Sequence, residues 1–216
     1  SELTDWGVLG AVIGKMAGSY WEVPVIEGIE IVPTSDEIKH FGAAMASYGS
    51  TPLFHIVGIT PEANDLAAVG GTALPTVKIT DNDLSALRSD FGGKGDTPDV
   101  VVFAAPQLSI VEMEQVTKLV DGQNLKIPMI VCTSPQTYGD AKRMGFVSKI
   151  ENAGGTVLEG TCFYQQGARE IGEANGWVRL LSNSAKIVNI LGGYGYKPAL
   201  ASMKDCVAAA IEGKIN

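Results

Sequence analysis

One segment of the chain carries the ingredients of acid–base chemistry. His55 sits in the apolar run Leu53-Phe54-His55-Ile56-Val57, and Gly58-Ile59-Thr60-Pro61-Glu62 follows at once. A histidine in such a run can act as a catalytic acid or base, and a carboxylate stands in the turn that follows. The same residues also have a plainer use. A histidine in a buried strand is often a hydrogen-bonded core residue, and Thr60-Pro61 reads as a helix start whose first turn favours the charge of Glu62. There the helix dipole lowers the Glu62 pKa, which suits an acceptor better than a general acid.

Two further segments follow strands. Cys162 lies in Gly160-Thr161-Cys162-Phe163, where a thiolate could ligate an iron–sulfur cluster or a single metal ion, or a buried thiol could simply pack. Ser182-Asn183-Ser184-Ala185-Lys186 gathers small polar donors and a cation, a set that can hold a carboxylate or phosphate or merely cap a helix. Cys132 and Cys206 read as packing residues. The Gly192-Gly193-Tyr194-Gly195 run has the wrong spacing for a dinucleotide fingerprint, and no Walker A or GxSxG motif is present, so nucleotide binding and serine-hydrolase chemistry lack support.

Composition limits the partners. Hydrophobic residues make up 45% and charged residues 19% of 216, which describes a well-buried globular chain. A formal net charge of −8 repels nucleic acid and anionic membrane. No apolar run is long enough to cross a bilayer, and Ser1 to Asp5 lacks the pattern of a signal peptide. Three widely spaced cysteines form neither a CxxC pair nor a disulfide framework, which points to a reducing cytoplasm.

The elements that must position these residues alternate between strand and helix. Helical spacing predicts a helix from Thr4, capped by Thr4 or Asp5, to Met16; another over 35–48; a third over 81–89 capped by Thr80; and a fourth from Ser109 to Val120, with Glu112 completing a capping box. Helical turns are expected over 136–153 and a closing helix over 199–212. Strands are expected at 24–26, 53–57, 76–79, 99–104, 128–132, 156–158 and 178–181. Such alternation predicts an α/β fold, a largely parallel sheet with helices on both faces, whose ligands lie beyond the carboxyl ends of the strands. The Gly92-to-Pro98 stretch marks a sub-boundary within residues 1–216.

Taken in order, the stretch from Phe54 to Ala63, Pro106-Gln107-Leu108-Ser109, Thr161-Cys162, Ser182 to Lys186 and Met203 to Ala210 resemble aconitase X, over the later half of that family's large subunit. The resemblance implies an aconitase-like core and a hydro-lyase acting on a small hydroxy acid, with cis-3-hydroxy-L-proline favoured and mevalonate 5-phosphate the alternative. It also implies iron, as an iron–sulfur cluster or a mononuclear centre, with Cys162 at a metal-ligand position. By the same resemblance His55, Thr60 and Glu62 line the site, with His55, Glu62 and Lys186 the candidate catalytic groups. Ser182, Asn183, Ser184 and Lys186 meet the substrate. The family's N-terminal half and a small swivelling subunit are expected as separate chains of a hetero-oligomer. The family commonly shows Cys, Pro and His where this chain reads Ala105-Pro106-Gln107. Three explanations stand: a smaller or single-iron site, a ligand from a partner chain, or a catalytically silent subunit that has lost its iron.

Overall fold

The computed structural model describes residues 2–71, 74–93 and 96–215. Of the expected Gly92-to-Pro98 linker, Lys94 and Gly95 lie outside the described residues.

Helices α1 (Leu3–Ala17) and α2 (Ser35–Gly49), joined through β1 (Val25–Ile26), pack side by side and run in the same direction, Gly10 against Phe41 and Gly14 against Met45. Glu2 rather than Thr4 or Asp5 caps α1: the Glu2 amide donates to the Asp5 carboxylate at 2.9 Å. Thr4 is instead buried, its hydroxyl set 3.3 Å from the carbonyls of both Asn183 and Ala201. Helix α2 starts with a full capping box, Thr34 and Glu37 each serving the other's amide.

The two helices touch backbone to backbone. A Cβ placed on Gly10 would fall 2.1 Å from the Phe41 carbonyl oxygen, and one on Gly14 2.4 Å from that of Met45. Only hydrogen fits there, because main-chain atoms of a packed helix cannot swing aside. Gly14→Ala should lower the unfolding free energy by about 2 kcal/mol through forced separation of the pair. Gly192→Ala, where nothing lies within 4 Å of the added carbon, should change it little; urea unfolding of both variants checks this.

Strand β2 (His55–Ile56) pairs in parallel with β1, Val25 opposite His55 and Ile26 opposite Ile56. The expected strand over 53–57 therefore contracts to two residues, and Leu53 is 62% exposed. Nor does a helix follow: Gly58 to Ala63 forms a chain of turns, closed by Thr60 N–H donating to Ile56 and Gly58 N–H to Ala63. The strand expected over 76–79 is irregular chain, since no neighbouring strand offers Val77 a ladder and it stays exposed. Helix α3 (Asp81–Asp90) begins at the Thr80 cap, as its spacing requires.

The main sheet is built from β3 (Val100–Leu108), β4 (Met129–Thr133), β5 (Gly155–Glu159), β6 (Arg179–Ser182) and β7 (Lys197–Leu200). Its order is β5-β4-β3-β6-β7 and every pair is parallel. Helix α4 (Ile110–Val120) with its Ser109–Glu112 capping box, α5 (Pro135–Arg143), α6 (Phe146–Asn152) and α9 (Met203–Glu212) supply the crossovers and the C-terminal cover. The core on that side holds Met113, Val116, Ile150 and Val207. Opposite lie α7 (Ala168–Asn175) and α8 (Ala185–Leu191), over a core of Val102, Phe163, Ile187 and Leu191. Helix α1 then packs on α8 through Val8, Ala11 and Ala185. The helical turns expected over 136–153 are two helices, α5 and α6, parted at Gly145, and the closing helix starts only at Met203 because residues 197–200 are an edge strand.

Strand order reverses between β3 and β6, one chain segment crossing to each side of the sheet. In open parallel sheets the crevice at such a switch point, beyond the carboxyl ends, is where ligands bind.

Candidate functional site

At the switch point β3 leaves its ladder. From the Phe103–Val131 pair to the Leu108–Thr133 pair, β3 advances five residues while β4 advances two. The four residues between, Ala104 to Gln107, stand against Cys132 alone, and this surplus of three makes a bulge that re-aims its groups, as bulges beside sites do. Within it Ala105 has φ +46°, a left-handed conformation unusual for a residue with a Cβ.

Ser184, at the end of β6, holds that bulge: its hydroxyl donates to the Ala105 carbonyl at 2.6 Å and accepts from Ile187 N–H at 3.2 Å, capping α8. Ser182 is buried as well, its oxygen accepting from the Ser184 amide. Asn183 lies between them, buried, with its carbonyl taken by Thr4 and its side-chain nitrogen without a hydrogen-bond partner. Of the expected substrate-facing serines, both hydroxyls are thus engaged within the turn. The Asn183 side-chain amide keeps unused donor capacity.

The bulge meets Cys162. The thiol is 7% exposed, and burial raises its pKa. The backbone amides of Tyr164, Ala105 and Phe163 and the charge of Lys186 act in the opposite direction, each favouring a negative sulfur. Amides aimed at sulfur and one nearby cation make a setting fit for a thiolate ligand, whose electron density such hydrogen bonds tune. Cys132 lies beside it but is fully buried, and desolvation pushes its thiol up to about 12. Cys206 is farther into the core, in α9, with its pKa well raised by burial. All three cysteines are free. Among the described residues no three His, Cys, Asp or Glu side chains gather as a metal-binding group; all three cysteines are buried, and Cys162 is the least buried of them.

His55 and Glu62 form a second group. His55 Nδ1 stands 2.7 Å from a Glu62 carboxylate oxygen, with the histidine partly and the glutamate half exposed. Glu62 is pulled below the usual carboxylate range first by that hydrogen bond, then by a backbone amide. The direction matches the sequence expectation but not its cause: no helix starts here, so no dipole acts. The Thr60 hydroxyl serves the turn itself, bonding the Ile56 amide and carbonyl. The side-chain hydrogen bonds of His55, Thr60 and Glu62 stay within the turn, and the Ser184 hydroxyl bonds the β3 bulge of the main sheet.

One buried charged cluster escaped the sequence reading. Glu112 is fully buried; its carboxylate accepts from the Ser109 amide at 2.8 Å, lies 2.8 Å from His40 Nε2 and pairs with Lys39. Lys39 also pairs with Asp36 at 3.0 Å, and Asp36 accepts from the Ser109 hydroxyl at 2.7 Å. The capping signal of Glu112 was visible, but its partners lie more than 70 positions away in α2.

Residues 98–212 match the family model for the aconitase X third domain, and residues 1–89 that for the aconitase X second domain. The chain is 31% identical over 214 residues to cis-3-hydroxy-L-proline dehydratase of Hypocrea jecorina, covering 95% of this chain and 35% of that protein. It is 28% identical over 209 residues to the phosphomevalonate dehydratase large subunit of Thermococcus kodakarensis, covering 95% and 51%. The crystal structure of Thermococcus kodakaraensis aconitase X, in its holo-form, superimposes with a TM-score of 0.83 at 25% identity, covering 97% of this chain and 52% of that one. The chain thus spans about half or less of the length of these relatives.

Proposed function

Because the chain belongs to the aconitase X family, we propose that it forms the second- and third-domain portion of a hydro-lyase that dehydrates a small hydroxy acid, cis-3-hydroxy-L-proline in preference to mevalonate 5-phosphate. The family's N-terminal half and a swivelling unit, as separate chains, complete the site in a reducing cytoplasm that keeps the thiols free. The observation that supports this most is Cys162 packed against the Ala104–Ala105 bulge and Cys132 at the switch point, where nearby amides and the Lys186 charge favour a negative sulfur against the effect of burial.

The donor set fits iron in part. Cys162 suits one thiolate position, and no further group of ligands gathers among the described residues, so the others would be supplied by the rest of the assembled enzyme. With Ala105 where the family places a cysteine, a single iron or a smaller cluster suits the site better than a cubane. Iron bound there would supply Lewis acidity toward the leaving hydroxyl.

The chain's own residues take the other tasks. Lys186 and the spare amide of Asn183 hold the substrate carboxylate, while Ser182 and Ser184 keep the turn that presents them. Glu62 accepts from His55 Nδ1, which fixes the imidazole tautomer and leaves Nε2 as the nitrogen able to take the proton from the carbon beside the hydroxyl. Thr60 stabilises the turn that holds this pair.

The test is steady-state turnover of the assembled, anaerobically purified complex on both acids, with Lys186→Ala beside it. A lost charge-assisted hydrogen bond to carboxylate should raise KM about tenfold or more with little change in kcat. Unaltered KM and kcat would remove Lys186 from the site. A second reading, a silent subunit without iron, is favoured by Ala105 and by the lack of a gathered ligand group among the described residues. Absence of both turnover and iron in the complex would establish it.

A further inference from the structure

Gln107 belongs to the β3 bulge, yet its bonds point two ways. Its side-chain amide donates to the Thr161 carbonyl at 2.8 Å, and its own carbonyl accepts from Lys39 Nζ at 3.1 Å. The Thr161 carbonyl and the Cys162 nitrogen share one peptide plane, so fixing that oxygen fixes the plane on which the Cys162 Cα is carried. Lys39 in turn is held by the buried Glu112 carboxylate and by Asp36. A continuous set of bonds therefore runs from α2, through Lys39 and Gln107, to the residue preceding the thiol.

We infer that Gln107 and Lys39 are positioning residues for the Cys162 loop, through which the 1–89 region sets the placement of the thiol. This rests on the reading of Cys162 as a site residue, but the bonds themselves do not depend on iron. The geometry gives Gln107 a task that needs a neutral donor on a side chain of this reach. Leucine, of similar size, keeps the packing and loses the donor. Lys39→Met removes the cation behind it, and Lys39→Arg restores a cation with donors for the Gln107 carbonyl.

Amide hydrogen exchange on the full chain reads the placement directly, because a loop released from its anchor opens more often. Gln107→Leu should speed exchange of peptides covering 160–166 by about tenfold, while α3 and β7 stay as in the unmodified chain. Lys39→Met should speed the same peptides together with 105–109, and Lys39→Arg should return both to their original rates. Unchanged exchange over 160–166 in Gln107→Leu would overturn the inference. So would equal acceleration of every segment, which reports general loosening, or failure of arginine to restore. A finding that Cys162→Ser leaves iron untouched would overturn the function proposed above without altering this readout.

Discussion

Cys162→Ser in the assembled enzyme should lose its iron and at least about 100-fold in kcat/KM, since disturbing even the outer partners of a metal ligand costs 10–100-fold. Serine keeps the size and the hydrogen-bonding shape of cysteine but offers a hard hydroxyl that stays protonated, whereas iron sites of this kind favour thiolate. Cys132 cannot stand in, for burial holds its thiol up to about 12 and it has no exposed surface. Cys132→Ser should therefore retain iron and most of the turnover, which makes it the matched control. Iron analysis of the anaerobic complex, with kcat/KM on the preferred hydroxy acid, decides the matter. Full iron and full turnover in Cys162→Ser would end the ligand role and leave a small buried hydrophobe.

Glu112→Ala should cost about 3–5 kcal/mol of unfolding free energy, the range found when one partner of a buried ion pair is removed. The carboxylate is fully buried and takes the Ser109 amide, His40 and Lys39 at once, so its loss leaves all three short of an acceptor. Burial alone would raise the Glu112 pKa, but His40 and Lys39 outweigh it and hold the group below the usual carboxylate range. A depressed folded-state value contributes stability that is present above the unfolded value of about 4.3 and disappears as pH falls through the folded value. The difference between the original chain and Glu112→Ala should thus be largest near neutrality and shrink on acidification below about pH 4. Urea unfolding at pH 7 and pH 4 measures it; a difference that grows toward low pH would contradict the assignment.

Much of this architecture was legible because its signals are local. The Ser109–Glu112 box, the Thr80 cap and the apolar run after Asp99 depend on neighbours within a few residues, and each element starts within a residue of its expected place. Other elements depend on distant partners. The 76–79 segment has strand-like composition, but a strand needs another beside it, and Val77 found none. Residues 197–200 carry a proline and a lysine and read as helix approach, yet the β6 edge recruits them through Arg179–Lys197 and Leu181–Ala199 pairs. At the site, His55 and Glu62 were named through the family resemblance of the stretch from Phe54 to Ala63; only the fold shows that they bond each other. Ser182 and Ser184 were found by type, but only the fold shows their hydroxyls turned to the Ser184 amide and the Ala105 carbonyl. Gln107 was passed over because an amide cannot shuttle a proton. Its bond to Thr161 depends on a partner 54 positions away.

The Thr4 hydroxyl, held by carbonyls of Asn183 and Ala201, joins points 179 and 197 positions apart. A chain made from its amino end must therefore store its first helix, apolar stripe exposed, until β6 and β7 have been added. The crevice is consequently completed only once β6 and β7 have been made and α1 closes on them. Shortened products that stop before β6 would carry Cys162 without Ser184 or Lys186 around it, so an incompletely synthesised chain has no half-built version of the site to offer.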